Sequence, residues 1–234
     1  MPLAFWALVV AVAIRGTSFR DKPAAGWVLD LTNLAVQGGL VPVVQAGVVV
    51  AALATWWPER QGTLAIGPLG AFVVAFVAVD YLYYWNHRLL HQRALWPTHA
   101  VHHTITRLDV FGTSRNTLWT TFLILYWWAH GALIWAVDSP VAYAWGVALT
   151  SALDLWRHSG LQAGGLGRAL GAALVTPAQH ARHHATDAVD VNFGANWNLW
   201  DRLHGTFQPS DELPERIGVP VALPLHRQLL WPFP

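Results

Sequence analysis

This chain of 234 residues contains no cysteine. That excludes disulfides, thiolate zinc sites, cysteine-held iron–sulfur clusters and a cysteine nucleophile. Charge is scarce as well: 12% of residues are Asp, Glu, Lys or Arg, against about 25% in an average soluble domain. The net charge is +1, so no general attraction to nucleic acid is implied and no such partner is expected. No internal repeat or low-complexity tract is present. Apolar residues fill the space that charge leaves, at 54% of the chain, with fifteen tryptophans among them. Tryptophan is enriched where an apolar body meets a wet edge, as at a membrane interface.

Long uncharged runs set the broad class. Residues 34–57 and 64–79 carry no charge, and the second run continues through Asp80 to Trp85. Residues 118–137 hold one histidine and no formal charge, while 141–153 are apolar apart from a few hydroxyls and continue to Trp156. A membrane span takes about 20 mostly apolar residues, roughly 17 to 25. Three of these segments meet that length and the fourth is close. Residues 3–14 are too short to span comfortably and are expected as an interfacial helix or partial span. No basic segment precedes them and no small-residue cleavage site follows, so a signal peptide is not expected.

Basic residues suggest an orientation. Arg15, Arg20 and Lys22 precede the first full span, Arg88, Arg93, Arg107 and Arg115 follow the second, and Arg157, Arg168 and Arg182 follow the fourth. Two helical hairpins would put all three basic regions on the cytoplasmic side and the short connections 58–63 and 138–140 on the other. The Gly-rich stretch 160–171 reads as a loop or short interfacial piece, and the Pro-rich end 208–234 as an extended tail packed on the cytoplasmic side. The expected fold is all-α: one integral-membrane domain over 1–234, with an N-terminal piece 1–33, a core 80–207, and about four transmembrane helices carrying a cytosolic helical cap.

Three histidine clusters stand out: His87-Arg-Leu-Leu-His91, His99-Ala-Val-His102-His103 and His180-Ala-Arg-His183-His184. Imidazole is the commonest metal ligand near neutral pH. Positions i, i+3 and i+4 share one face of a helix, so each cluster presents two or three ring nitrogens in one direction. Pro97 suits the first turn of a helix before the second cluster. Thr176-Pro-Ala-Gln179 reads as a capping box, with Thr176 at the N-cap and Pro177 next, opening a helix before the third. His158, at the cytoplasmic end of the fourth span, is a ninth candidate. His130, His204 and His226 are expected to be structural. Asp80, Asp154 and Asp187 share helical spacing with neighbouring histidines and are candidates to orient them, since ligating imidazoles usually donate their other N–H to an oxygen.

Nine imidazoles are too many for one ion: a tetrahedral zinc takes four. Two octahedral ions could use nine and keep positions for oxygen or hydroxide. All-nitrogen ligation suits iron, zinc, copper or nickel over magnesium or calcium. A redox metal at a membrane surface points to oxygen chemistry on a lipid. Two other classes fit less of the pattern. A membrane metal carrier needs polar ligands along a path through the bilayer, and a haem electron-transfer protein needs paired histidines facing each other within the bundle.

At these residues the chain resembles the fatty acid hydroxylase / sterol desaturase superfamily of integral-membrane di-iron enzymes. The resemblance rests on Trp85-Asn-His-Arg-Leu-Leu-His91, Leu95-Trp96 leading into His99-Ala-Val-His102-His103, His158-Ser159, and Thr176-Pro177 before His180-Ala-Arg-His183-His184. Asn192-Phe-Gly194 and Leu199-Trp-Asp-Arg-Leu-His-Gly-Thr206 look like the family's closing signature, and Asn192 joins the residues expected to support the ligands. The match runs over roughly residues 80–207. It departs in two places: Gly160 where many members have Asn, and His204 where Phe is usual. The resemblance implies a four-helix membrane stem and a cytosolic cap holding two iron ions, with zinc as a possible occupant. It assigns ligand roles to His87, His91, His99, His102, His103, His158, His180, His183 and His184. It also implies O2-dependent hydroxylation or desaturation of a fatty acyl, alkyl or sterol-like lipid. Electrons would come from a separate cytochrome b5-like or ferredoxin-like donor.

Overall fold

A computed structural model describes residues 22–118, 120–161, 164–188 and 190–230, together with Ala7 and Ala11. Apart from those two alanines, the segment expected as an interfacial helix at 3–14 lies outside the described residues. The architecture is helical. Among the described residues there is no strand, only isolated bridges such as Leu64 with Val137 and Ala185 with Ile217.

Two long helices dominate, and both are long and apolar enough to cross a membrane: α1 (Ala24–Trp56) and α2 (Gly67–Leu90). At 1.5 Å per residue, α1 would run ~50 Å, well beyond the ~30 Å hydrocarbon core. It begins ten residues before the apolar run at 34–57 because its first turns are held by protein. The fully buried Asp30 accepts from Arg115 Nε at 2.5 Å and pairs with Lys22, whose ammonium also reaches Asp109 at 2.6 Å. Two of the cations that suggest orientation therefore sit in a buried network rather than in water.

Both long helices contain a widened turn, at Val36–Leu40 in α1 and Val74–Ala78 in α2. Such insertions re-aim side chains and concentrate at functional sites. In α1 the turn directs Gln37 inward, where its amide donates to Asn33 Oδ1 at 2.6 Å and to the Thr117 carbonyl at 2.5 Å.

The segment expected as a third span behaves differently. Its start forms a short 3-10 turn over Thr120–Leu123, the backbone turns extended at Ile124, and α4 covers only Leu125–Ala136. At twelve residues α4 rises ~18 Å. Asn86 of α2 holds this break from both sides, donating to the Leu123 carbonyl at 3.0 Å and accepting from Leu125 N at 2.9 Å. Helix α5 (Pro140–His158) is longer and more polar.

Helix α1 packs on α4 and α2 on α5. The second pairing is close: a Cβ on Gly146 would lie 2.7 Å from Ala75 Cβ and 2.9 Å from the Phe72 carbonyl. Small residues that let helix backbones approach are the usual adhesive between membrane helices. The connections 58–63 and 138–140 meet, with Leu64 N donating to Ala136 O at 2.8 Å and Asp138 capping Gly67 N at 3.1 Å. Only about a tenth of the apolar stretch of α1 is buried (11%), which leaves Val43, Val44 and Val48 on an outward apolar face.

The other end of the helices carries short elements: α3 (Trp96–Ala100), 3-10 turns at His102–Thr104 and Val110–Ser114, α6 (Gly164–Leu170), α7 (Pro177–His183), α8 (Leu199–Leu203) and α9 (Leu225–Leu230). Helix α7 starts at the expected place. Thr176 Oγ1 accepts from Gln179 N at 3.3 Å with Pro177 in the first turn, but the Gln179 amide reaches Gly171 O instead of closing the box. The Pro-rich tail is tied to this layer by backbone: Val219 N donates to His103 O at 2.7 Å and Gly218 N to His184 O at 2.9 Å.

Candidate metal centre

Helix α2 delivers His87 in its last turn and His91 at its C-cap, and α5 ends on His158. The second cluster enters on α3 and the turn after it, and the third on α7 and its C-cap. The nine histidines singled out from sequence come together as two adjoining nests. His87, His91, His99, His103 and His183 form one, and His102, His158, His180 and His184 the other; within each, one nitrogen per ring lies within 4.8 Å of all the others. The nests touch, since the His103 and His184 rings stack at 4.3 Å and His102 lies 4.7 Å from His184.

Backbone oxygens aim four of the nine rings. The outer nitrogen Nδ1 faces Phe193 O in His87 at 2.9 Å, Arg115 O in His102 at 3.0 Å, Asp154 O in His158 at 2.9 Å and Val191 O in His183 at 2.7 Å. A carbonyl only accepts, so Nδ1 carries the proton and Nε2 turns its lone pair inward. The Nε2 atoms of His87 and His99 lie 3.1 Å apart, those of His158 and His180 2.9 Å, and those of His180 and His184 3.2 Å. With metal–nitrogen bonds of ~2.0–2.1 Å, two donors on one ion stand roughly 2.9–3.4 Å apart. The buried Nε2 atoms of His91, His103 and His183 have no hydrogen-bond partner among the described residues. An unsatisfied buried nitrogen costs about 1–3 kcal/mol, and the three Nε2 atoms of His91, His103 and His183, which belong to one nest, fit a cation.

Electrostatics keep the rings ready as donors. Burial, with repulsion from neighbouring rings, pushes His91 down to about 2 and His102 to about 3, and holds His99, His103, His180 and His184 well below the usual imidazole range. Burial also lowers His183, to about 4, against the pull of the Val191 carbonyl. Neutral imidazoles present lone pairs instead of protons.

The residues expected to support the ligands divide. Asp154 touches His158, with its carboxylate 3.3 Å from Nδ1 and 2.6 Å from Arg157. Asp80 does not reach a histidine. Its carboxylate accepts from Asn196 N at 2.8 Å, Trp197 N at 3.2 Å and Trp200 Nε1 at 2.8 Å, because the loop before α8 folds against the middle of α2. Asp187 points outward, is 72% exposed, and pairs with Arg182 at 2.7 Å. Asn192 holds backbone left-handed at φ 53°, a conformation Asn tolerates. Its side chain clamps Gln179 O at 2.9 Å and the Gln208 backbone at 2.8 Å.

Sequence reasoning missed Phe193, next to that asparagine. Its carbonyl orients His87 and its ring lies 4.9–5.6 Å from His87, His91 and His183. Carbonyl acceptors carry no residue-type signal, so only the signature around Asn192–Gly194 marks the place. Asp201 fixes that loop by accepting from Phe193 N at 2.7 Å, Gly194 N at 2.8 Å and Thr206 Oγ1 at 2.7 Å. Burial raises the Asp201 carboxyl, and these three donors oppose the shift.

Both departures from the family pattern have local reasons. Gly160 sits at φ +67°, where a Cβ would meet Leu108 O at 3.1 Å. Gly and Asn are the residues that enter this region most readily. His204 stacks 5.1 Å from Tyr84 and bonds the Tyr81 hydroxyl at 3.1 Å, an aromatic role that Phe fills in part. His130 bonds Tyr143 OH across to α5 at 2.7 Å, away from the nests.

A cavity of about 130 Å³ adjoins the nests from the helix side. It touches His87, His99, His102 and His158 and runs between Gly38 of α1, Tyr83 of α2, Tyr126 and Trp127 of α4, and Ser151 of α5. A smaller cavity of about 50 Å³ shares Tyr83, Tyr126 and Ser151 and reaches toward His130.

Several curated proteins are similar to this chain. It is 30% identical over 142 residues to the alkylglycerol monooxygenase of Danio rerio, covering 59% of this chain and 31% of that protein. It is 31% identical over 160 residues to the ornithine lipid hydroxylase OlsE of Rhizobium tropici, covering 65% and 44%. It is 26% identical over 212 residues to the fatty acid hydroxylase vlmA of a Lecanicillium species, covering 80% and 54%. The alignments thus span about a third to a half of these relatives' length. No solved structure matches. The fatty acid hydroxylase family matches residues 72–206, more than half of the chain and all nine histidines. Two touching histidine nests at the ends of α2 and α5, bounded by that match, place this chain in the fatty acid hydroxylase family.

Proposed function

We propose that this protein is a membrane-embedded di-iron hydroxylase that inserts oxygen into a C–H bond of a lipid. The observation that carries the reading is the pair of all-histidine nests opening onto a cavity between apolar helices. The relatives named for lipid hydroxylation support the substrate class. They favour hydroxylation over desaturation, and a resident catalytic centre over a metal carrier or a haem protein. Four helices, α1, α2, α4 and α5, form the membrane stem in this reading, and the short helices form a cap on the cytoplasmic face.

His87, His91, His99, His103 and His183 would hold one iron, and His102, His158, His180 and His184 the other. Bound there, iron supplies the redox chemistry that activates O2 with two external electrons. The chain supplies the rest. Phe193 O, Arg115 O, Asp154 O and Val191 O keep four rings in one tautomer with Nε2 inward. The cavity excludes bulk water and aligns a carbon that offers no polar handle, a positioning effect worth several orders of magnitude in rate. Lipid would enter between α1 and α4, where the break at Ile124 interrupts the helix wall. The electron donor is a separate one-electron carrier, cytochrome b5-like or ferredoxin-like.

The test is oxygen-18 labelling of membrane lipids in an expressing host, read by mass spectrometry. Wild-type protein should yield labelled hydroxylipid. His183→Ala should abolish it with loss of iron, and Ser151→Phe should abolish it with iron retained, because the new ring fills the cavity. Equal labelling in all three would refute the assignment.

A further inference from the structure

The two sides of the histidine nests differ. The cavity reaches His87, His99, His102 and His158 from the helix side. His91, His103 and His183 do not line it, and His91 is the least buried of the nine. Over this far side lies Trp96, half-buried at the start of α3. Its ring centroid is 5.1 Å from His91, 5.1 Å from His103 and 6.3 Å from His99. One half-buried indole therefore contacts three rings of a single nest, beside the exposed Asp190, whose carboxylate lies 3.6 Å from His91 Nδ1.

A second aromatic path is longer. Trp85, 42% exposed, lies 5.5 Å from Tyr84, which lies 6.2 Å from Phe193, which lies 4.9 Å from His91. It needs three rings where Trp96 needs one.

Resting on the hydroxylase reading, we propose that Trp96 is the port through which a one-electron carrier protein reduces the centre, on the face opposite the lipid cavity. Each transfer oxidises the carrier by one electron and reduces the metal centre by one, and two transfers serve one turnover. No bond to Trp96 forms or breaks. The indole stays closed-shell and acts as the medium between the carrier and the rings of His91 and His103. Separate faces let the carrier dock from water while lipid occupies the cavity, so neither has to leave for the other.

The experiment uses the iron-loaded protein in detergent and a reduced two-iron ferredoxin as the probe. Anaerobic reduction of the centre is followed by stopped-flow absorbance. Trp96→Leu should slow reduction about tenfold or more, equivalent to about 1.4 kcal/mol in barrier height. Trp96→Phe should stay near wild type, and Trp85→Leu should match it. Iron content should be unchanged in all three. Product per centre should also be unchanged when each is fully reduced beforehand with excess dithionite and then given O2 and lipid extracted from membranes of the expressing host. Reduction of Trp96→Leu at the wild-type rate, or equal slowing in Trp85→Leu, overturns the port. Loss of iron in both Trp96 variants overturns it as well, because the ring would then be a packing element. Absence of product from pre-reduced wild-type protein refutes the hydroxylase reading instead.

Discussion

Asp201 is the residue on which the geometry of the first nest leans most heavily without touching it. Its fully buried carboxylate accepts from Phe193 N, Gly194 N and Thr206 Oγ1 at 2.7–2.8 Å. Phe193 in turn offers its carbonyl to His87 Nδ1 at 2.9 Å. In Asp201→Ala three donors lose their acceptor. Each stranded group costs about 1–3 kcal/mol. The Thr206 hydroxyl recovers part of this by turning to Tyr84 OH, 3.0 Å away, so the low end applies, about 3–5 kcal/mol. That is a large share of an ordinary stability of about 5–15 kcal/mol. The thermal midpoint in detergent should fall steeply. Iron retained after gel filtration should fall with it, because His87 loses the carbonyl that fixes its tautomer. Asp201→Asn keeps one acceptor oxygen and should fall between alanine and wild type on both measures. A wild-type midpoint and full iron in Asp201→Ala would refute the chain of positioning from Asp201 through Phe193 to His87.

The remaining predictions concern charge. Asp30→Ala takes the carboxylate from Arg115 in a buried network while Lys22 keeps Asp109, and it should cost about 3–5 kcal/mol. It should also loosen His102, which uses the Arg115 carbonyl, and limited proteolysis and iron content read both effects. Asp187→Ala breaks only a surface pair with Arg182, worth about 0–1 kcal/mol. It should leave thermal stability and iron content at wild-type levels, and a clear iron loss would restore Asp187 as a support for His183.

The convergence of the nine histidines was legible in the sequence because helical spacing aims clustered rings together. Thr176 and Pro177 marked the start of α7 for the same local reason, since capping is decided within one turn. The supporting shell was legible only in part, at Asp154, whose carboxylate lies 3.3 Å from His158 Nδ1. Asp80 and Asp187 share helical spacing with histidines, but the chain after residue 190 folds back to claim Asp80, and Asp187 reaches solvent. Carbonyls of Arg115, Val191 and Phe193 do the orienting, and every residue type has a carbonyl. Hydropathy located the apolar segments but not their breaks. The run 118–137 carries no charge, and Asn86, distant in sequence, marks where its helix starts.

The central claim is a centre of two iron ions held by nine histidines, and metal stoichiometry tests it most directly. Protein purified without a histidine tag, after expression with iron-57, should contain about two irons per chain. Its Mössbauer spectrum should show a coupled pair that is lost when His103 and His184, whose rings stack at the contact of the two nests, are both changed to alanine. Protein carrying a single metal ion per chain, or iron content unaffected by that double change, would contradict the account.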